Sequence, residues 1–145
     1  KEFLRPAPFM TTNKDFLMQA LLQFDFGNNN VKVLKGISFG NAGTGDFAGF
    51  KIIDNVVKGY VKDGAYSAET SAMSVTLTNA NIFRVQYIAG ETKIYFYING
   101  QIAGTITRDL TNWNSDGGPL ILVEPTDTND GFLYVKDLRV SRSTI

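Results

Sequence analysis

The stretch DFLMQALLQFDF, residues 15 to 26, alternates strictly between two sets of side chains and constrains the fold more than any other part of the chain. The apolar set occupies every second position: Phe16, Met18, Ala20, Leu22, Phe24 and Phe26. Successive side chains of a strand point to opposite faces, so this pattern predicts a long strand with one wholly apolar face. The GNNN that follows it predicts a turn.

Strand signals continue along the rest of the chain. The 11 Phe, 6 Tyr and frequent Val, Ile and Thr favour strands, and the 14 Gly mark turns between them. Further strands are predicted at 33–39, 47–53, 56–62, 72–78, 82–88, 93–98, 101–107, 119–124 and 132–141. Short strands at this spacing predict an all-β fold, an antiparallel two-sheet sandwich. We predict a single domain over residues 14–145, with residues 1–13 as an N-terminal arm or linker.

Composition argues against several classes of function. The chain has 14 basic and 14 acidic residues with no run of four like charges, so neither nucleic acid nor an anionic membrane surface is expected as a partner. It has no His and no Cys, which excludes Ser-His and Cys-His nucleophile pairs, disulfides and imidazole-based zinc sites. No apolar run approaches the roughly 18 residues that span a bilayer, so no membrane insertion is expected.

The segment KIYFYINGQIAG, residues 93–104, predicts a hairpin that is apolar on both faces. A two-residue Asn-Gly turn would place Tyr97 opposite Ile102, and the apolar residues of the two strands would then point to different faces of the sheet. A three-residue loop over 98–100 with a G1 bulge instead pairs Phe96 with Ile102, so that the apolar residues of both strands point to the core face. The three-residue loop is therefore the predicted one.

The loop AGET, residues 89–92, has four residues, so Arg84 is predicted opposite Tyr97 and Gln86 opposite Tyr95. The core face then contains Phe83, Val85, Tyr87, Ile94, Phe96 and Ile102. The other face contains Arg84, Gln86, Tyr95, Tyr97, Gln101, Ala103 and Thr105. This second face is either a ligand platform, or a surface covered by a loop, or a set of cross-strand pairs without a ligand.

Three pieces of the chain resemble the concanavalin A-like lectin/glucanase superfamily, in particular its laminin-G-like jelly-roll sandwiches. They are FRVQYIAGETKIYFYINGQIAGTI, GPLILV and the closing GFLYVKDLRVSR, which match that family's order of strands and turns. The resemblance implies a jelly-roll sandwich. It also implies an extracellular, cell-surface or virion location, since members include lectins, glycan hydrolases and lyases, adhesion modules and phage fibre or capsid domains. No signal peptide is visible in this chain.

The enzymatic branches of that superfamily can be tested against the residues. Their family 16 glucanases use an E-x-D-x-x-E strand, and none of the glutamates Glu2, Glu69, Glu91 and Glu124 opens one. The jelly-roll alginate lyases depend on a Gln-x-His strand, which a chain without His lacks. The sequence therefore predicts that the protein is not an enzyme. An aspartate-based hydrolase or lyase is the less favoured alternative.

The ligand-binding residues predicted for a glycan are Tyr95, Tyr97, Arg84, Gln86 and Trp113. The tyrosine rings would contact sugar rings, and the Arg and Gln side chains would hydrogen-bond hydroxyl groups. The one tryptophan lies in a predicted loop, where it either stacks on a ligand or caps the end of the sandwich.

The loop NWNSDGG, residues 112–118, resembles the first half of a calcium loop through Asn112, Asn114 and Asp116. The second half fails because the twelfth position is Val123 and Glu124 comes one residue late. An Asn- and Gly-rich turn without metal has the same letters. The metal-free turn is the favoured interpretation, so no cofactor is predicted, and Ca²⁺ is the alternative.

The function expected from sequence is a non-catalytic carbohydrate-binding or adhesion module, with a glycan or cell-surface polysaccharide as its partner. The alternative is a structural decoration, fibre or assembly domain of a phage or extracellular assembly. In that case the partners are protein subunits or further copies of the chain, and the second face of the hairpin is an interface.

Overall fold

The computed structural model describes residues 2–4, 15–25, 37–40, 46–110, 118–123 and 132–142. Within these ranges one short 3₁₀ turn, Ala89–Glu91, accompanies the strands. The strands are β1 (Glu2–Leu4), β2 (Phe16–Asp25), β3 (Ile37–Gly40), β4 (Phe47–Ile53), β5 (Val56–Asp63), β6 (Tyr66–Glu69), β7 (Asn81–Ile88), β8 (Lys93–Ile98), β9 (Gln101–Thr107), β10 (Gly118–Val123) and β11 (Phe132–Arg142). No helix in these ranges is long and apolar enough to span a membrane.

The strands form two sheets, and all neighbouring strands in them are antiparallel. One sheet has six strands in the order β1-β10-β3-β4-β5-β6, and the other has five in the order β11-β2-β7-β8-β9. Their inner faces pack against each other and enclose one cluster of buried side chains. The predicted all-β, antiparallel two-sheet sandwich is confirmed.

Alternation along β2 places its even-numbered side chains in this core. Phe16, Met18, Ala20, Leu22 and Phe24 are all at most 2% exposed, while Phe26 lies outside the described residues. Phe50 on β4 joins the two sheets because its ring meets Phe83 at 5.0 Å and Phe96 at 5.6 Å, both edge to face. Burying one such ring contributes about 1.5–3 kcal/mol.

The predicted strand over 72–78 is wrong. In its place β6 pairs with β5, and residues beyond β6 make isolated contacts with β5, such as Met73 N–H donating to Val57 O. The letters SVTLT favour a strand, but tertiary context overrides that propensity. Of the predicted strand 33–39, the structure describes residues 37–39, which belong to β3 (Ile37–Gly40).

Part of the predicted N-terminal arm belongs to the sandwich. Residues 2–4 form β1, which pairs with β10 at the edge of the six-stranded sheet. The rest of the range 1–13 lies outside the described residues, so the extent of the arm and the domain boundary at residue 14 stay predictions.

The predicted three-residue hairpin loop is wrong. Asn99 and Gly100 form a two-residue turn with φ of 52° and 81°, and Tyr97 stands opposite Ile102. Left-handed backbone at both central residues is the geometry whose twist matches that of the flanking strands. The bulge comes later, where Ala103 is skipped and Phe96 faces Gly104.

This register moves Ile102 out of the predicted core. Its side chain is 58% exposed, and Ile106, at 7%, takes the core position on β9 instead. The other residues predicted for the core face, which are Phe83, Val85, Tyr87, Ile94 and Phe96, are buried as expected.

Candidate functional site

The outer face of the five-stranded sheet, hereafter the outer face, carries two rows of side chains that cross all five strands. The strand registers define the Arg84 row as Arg139, Gln19, Arg84, Tyr97 and Ile102. They define the Gln86 row as Ser141, Leu17, Gln86, Tyr95 and Thr105. Neither row contains an acidic residue, and both mix apolar groups with hydrogen-bonding groups.

Four of the predicted ligand-binding residues therefore lie side by side. The predicted pairs Arg84–Tyr97 and Gln86–Tyr95 are present in the β7–β8 register, as the four-residue loop required. All four side chains are half-buried, so each presents part of its surface to solvent. The predicted cross-strand pairing is therefore confirmed, and ligand binding by these four residues stays a prediction.

Arg84 stacks on Tyr97. Its guanidinium carbon lies 3.8 Å from the centre of the Tyr97 ring, a cation–π arrangement that holds the guanidinium in place. In the described part of the chain no group accepts a hydrogen bond from Arg84, and its Nε is buried without a partner. The planar guanidinium has five N–H donors, so this side chain retains unused donor capacity at the surface.

Tyr95 extends the aromatic surface along β8. Its ring centre is 6.2 Å from that of Tyr97, with an angle of 30° between the ring planes. The Tyr95 hydroxyl donates a hydrogen bond to Glu91 Oε2, and this bond raises the pKa of Tyr95 above its ordinary value because the protonated hydroxyl is the donor. Lys93 Nζ lies 5.8 Å from the same ring.

The loop that carries Glu91 is anchored by its backbone. It begins with the 3₁₀ turn Ala89–Glu91 and ends at Thr92, whose left-handed φ of 50° redirects the chain into β8. Asp15 Oδ1, at the start of β2, accepts a hydrogen bond from Ala89 N–H at 2.7 Å. This bond ties the loop to the neighbouring strand and so fixes where Glu91 meets Tyr95.

A groove of about 540 Å³ opens at the other end of the β8–β9 hairpin. Its polar lining is uncharged and includes Ser74, Thr76, Asn79, Asn99 and Gln101. Hydrogen bonds of the Asn99 side-chain amide hold this end together: its Nδ2 donates to Asn81 Oδ1 at 2.9 Å, and its Oδ1 accepts from Ile82 N–H at 2.8 Å. The groove is therefore a product of the hairpin turn.

Two carboxylates are buried in the described part of the sandwich. Asp46 Oδ1 accepts from Gly64 N–H at 3.0 Å, and Asp63 Oδ2 pairs with Arg108 Nε at 3.2 Å. Asp63 Oδ1 is buried with no partner in the described part. Both side chains are under 8% exposed, so neither acid stands open to a substrate.

The remaining predicted site residues lie outside the described residues. This applies to Trp113 and to the calcium candidates Asn112, Asn114 and Asp116, which stay predictions. Among the residues that are described, no group of three or more acidic side chains is placed to hold a metal ion.

Sequence reasoning missed Gln19 and Arg139, which continue the Arg84 row onto β2 and β11. It also missed an aromatic pair on β11, where the rings of Phe132 and Tyr134 stack at 6.4 Å and are more than half exposed. Pairing between strands that are distant in sequence creates these neighbours. Alternation within one strand gives the face of each residue but not which strand lies next to it.

No protein-family model and no curated protein sequence matches this chain. Solved structures do. A botulinum neurotoxin type C structure, described as showing cell entry dependent on two ganglioside molecules, has 16% identity and a TM-score of 0.64 over 88% of this chain and 32% of its own. A botulinum neurotoxin DC binding domain in complex with rat synaptotagmin II has 14% identity and a TM-score of 0.65 over the same shares.

An alginate lyase from Corynebacterium sp. has 16% identity and a TM-score of 0.60, over 91% of this chain and 60% of its own. The chain thus spans about a third of the neurotoxin chains and 60% of the lyase chain. At these identities the likeness establishes the two-sheet fold. Binding domains and one enzyme share that fold, so it does not by itself select an activity.

Proposed function

We propose that this domain is a non-catalytic binding module that recognises glycans with its outer face. The observation that carries the proposal is the pair of adjacent rows, in which Tyr95 and Tyr97 lie between hydrogen-bonding side chains from three other strands. Apolar ring surface next to amide and guanidinium donors is what a sugar requires, because a sugar presents C–H patches and hydroxyl groups together.

The arrangement is also preorganised. Arg84 is held against Tyr97, Tyr95 is held by Glu91, and the strands that carry them are hydrogen-bonded on both sides within the sheet. Side chains that are already ordered lose less conformational entropy when a ligand binds. Affinity at one site is expected to be modest, with avidity arising from several copies.

The known structures support this reading at the level of class. Several similar structures are binding domains, and the description of one concerns gangliosides. Together with the strand pattern, this supports placing the chain in the concanavalin A-like, laminin-G-like superfamily. It also supports an extracellular, cell-surface or virion location, which we propose with it.

The test is a glycan array probed with the wild-type domain and with Tyr97→Ala. We expect the wild type to give saturable binding and Tyr97→Ala to lose about tenfold of the affinity, since an aromatic contact contributes on the order of 0.5–1.5 kcal/mol beyond area burial. Tyr60→Ala is the matched control, because Tyr60 lies on the six-stranded sheet beside Phe47 and Lys51. Equal binding by wild type and Tyr97→Ala would remove the outer face from the site.

Running the same array with Ca²⁺ and with a chelator tests the metal proposal separately. Chelator-sensitive binding supports a Ca²⁺ site built from Asn112, Asn114 and Asp116, and their replacement by Ala should then abolish the sensitivity. Chelator-insensitive binding argues against a role for Ca²⁺ in recognition.

A structural assembly role is the second candidate, and one observation favours it. The outer face has exposed apolar side chains: Ile102, in the Arg84 row, is 58% exposed, and Ile82, two residues before Arg84 on β7, is 40% exposed. Apolar surface of this kind is typical of protein interfaces. Size-exclusion chromatography with light scattering distinguishes the two functions. A stable oligomer that dissociates when Ile102→Ser is introduced, together with no binding on the glycan array, would favour assembly.

A further inference from the structure

The two rows of the outer face carry a positive charge, although the chain as a whole is neutral. The chain carries 14 basic and 14 acidic residues, yet the two rows contain two arginines, Arg84 and Arg139, and no acid. The sequence does not indicate this pair of cations, because it contains no run of basic residues. The two cations come from β7 and β11, which only the intervening β2 brings together.

The two guanidinium groups stand on either side of Gln19 in the Arg84 row. Arg139 pairs with Gln19, and Gln19 pairs with Arg84, so the two arginines are two strands apart. With strands about 4.8 Å apart, their Cα atoms are separated by about 10 Å. An amide lies between them and Tyr97 lies next to Arg84, so the row alternates cation, amide, cation and aromatic ring.

Neither arginine is neutralised within the described part of the chain. Arg139 is exposed and makes no ion pair there, and Arg84 has its ring contact but no acceptor for its N–H groups. The buried Nε of Arg84 shows that part of this guanidinium is removed from water. Charge–charge attraction at such a group is weakened less by solvent, and an anion would supply the missing acceptors.

Two acids adjoin the rows. Glu91 reaches the face from the β7–β8 loop, but its carboxylate already accepts the Tyr95 hydroxyl. Asp137 lies in the bulge of β11 between Lys136 and Arg139, so a further cation adjoins it. The rows therefore present a positive surface with an aromatic edge.

We infer that the ligand of the outer face is an acidic glycan, one whose sugar rings carry carboxylate or sulfate groups, and that Arg84 and Arg139 bind those groups. This inference rests on the proposed glycan-binding function and narrows it to a ligand class. Arginine suits the role because its planar fork matches both anions with paired hydrogen bonds.

The experiment compares binding of the intact domain to an oligogalacturonate, its carboxyl-reduced neutral form and a sulfated oligosaccharide of equal length, by isothermal titration calorimetry. We expect an acidic ligand to bind at least about tenfold more tightly than the neutral one. We also expect the difference to shrink as salt is raised, because the cations are near the surface. The carboxylated and sulfated arms show which acid is preferred.

The variant Arg139→Gln isolates the charge, because Arg139 is exposed and makes no contact that folding needs within the described residues. It should weaken acidic-glycan binding about fivefold or more and weaken neutral-glycan binding by less, because the Gln amide keeps hydrogen-bond donors but carries no charge. Lys62→Gln is the control, since Lys62 lies on β5 in the other sheet and, among the residues that the structure describes, donates only to Gly64 O. It should change neither affinity, and thermal unfolding checks that both variants fold.

The outcomes distinguish a failure of the acidic-glycan inference from a failure of the proposed glycan-binding function. Equal binding of acidic and neutral glycans, with Tyr97 still required, overturns the acidic class and leaves glycan binding intact. No binding to any glycan overturns both. An oligodeoxynucleotide of equal charge that binds as tightly, with the same dependence on Arg139, overturns the inference by assigning the face to nucleic acid.

Discussion

At the residue scale, the candidate site depends on contacts between neighbours on adjacent strands. Arg84 is paired with Tyr97 across β7 and β8, and the sequence predicted this because the loop AGET has a fixed length. The ring contact at 3.8 Å is a consequence of that pairing. The prediction for Ile102 was wrong. The face of the sheet to which this side chain points depends on the position of a bulge in β9, which the sequence of the strand does not reveal.

The hydrogen bond from Tyr95 to Glu91 makes a testable contribution to the pH dependence of this face. The bond requires a protonated hydroxyl, so its contribution is present at neutral pH and is lost as the pH rises through the raised pKa of Tyr95. Glu91→Gln removes the charged acceptor and should lower the pKa of Tyr95 towards its ordinary value. NMR titration of the tyrosine ring carbons measures this.

The reference for that titration is the buried Tyr87. Burial raises the pKa of the Tyr87 hydroxyl, while a hydrogen bond from Leu110 N–H opposes the shift. Because this cause is independent of Glu91, the titration of Tyr87 should not move in the variant. An unchanged Tyr95 pKa in Glu91→Gln would show that the bond is not formed in solution.

At the scale of single elements, the β8–β9 hairpin shows how much local sequence can predict. The letters NG located the turn correctly, and the adjacent runs located both strands. The register was mispredicted because a bulge can bring the apolar residues of both strands to the core face either at the turn or later in the strand. In this chain the bulge comes later, beside Gly104, whose missing side chain leaves room for Thr70 and Met73.

Asn99 connects this turn to the neighbouring strand β7. Its side chain bonds both Ile82 N–H and Asn81, in addition to adopting a left-handed φ. Asn99→Ala should cost about 1–3 kcal/mol more than Asn55→Ala, because the Ile82 N–H and the buried Asn81 side chain each lose a hydrogen-bond partner. Asn55 also has a left-handed φ, 64°, in the β4–β5 turn, and it makes neither of these side-chain bonds.

Urea unfolding of the two variants and the wild type measures this difference. The comparison cancels the backbone cost that both substitutions share, so what remains is the value of the amide bonds. Equal destabilisation by Asn99→Ala and Asn55→Ala would mean that the bonds to β7 contribute nothing to stability.

At the scale of the whole molecule, alternation and turn spacing were sufficient for the fold class but not for the sheet order. The positions of β6 and β1 were missed because short edge strands are stabilised by pairing with a neighbour and have little pattern of their own. The same limit applied to the site, since Gln19 and Arg139 join it only through the order of the five-stranded sheet.

The packing of the two sheets is close enough to be tested at one glycine. A Cβ added at Gly59 on β5 would lie 2.7 Å from the Phe96 ring on the opposite sheet. Gly59→Ala should therefore destabilise the domain by about 1–3 kcal/mol through overpacking. Gly90→Ala is the control because nothing lies within 4 Å of a Cβ there.

Thermal unfolding of both variants should show a lowered Tm for Gly59→Ala and little change for Gly90→Ala. A Gly59→Ala domain as stable as the wild type would contradict the close approach of the two sheets. It would also question the placement of Phe96, whose strand carries Tyr95 and Tyr97 on its other face.

The measurement that tests the central claim most directly is NMR chemical-shift mapping of the labelled domain titrated with the strongest glycan from the array. We predict that the largest shifts cluster at the amides of Arg84, Gln86, Tyr95 and Tyr97, and that the six-stranded sheet is unaffected. Shifts confined to the six-stranded sheet, or to the groove beside Asn99, would contradict the account and place recognition elsewhere.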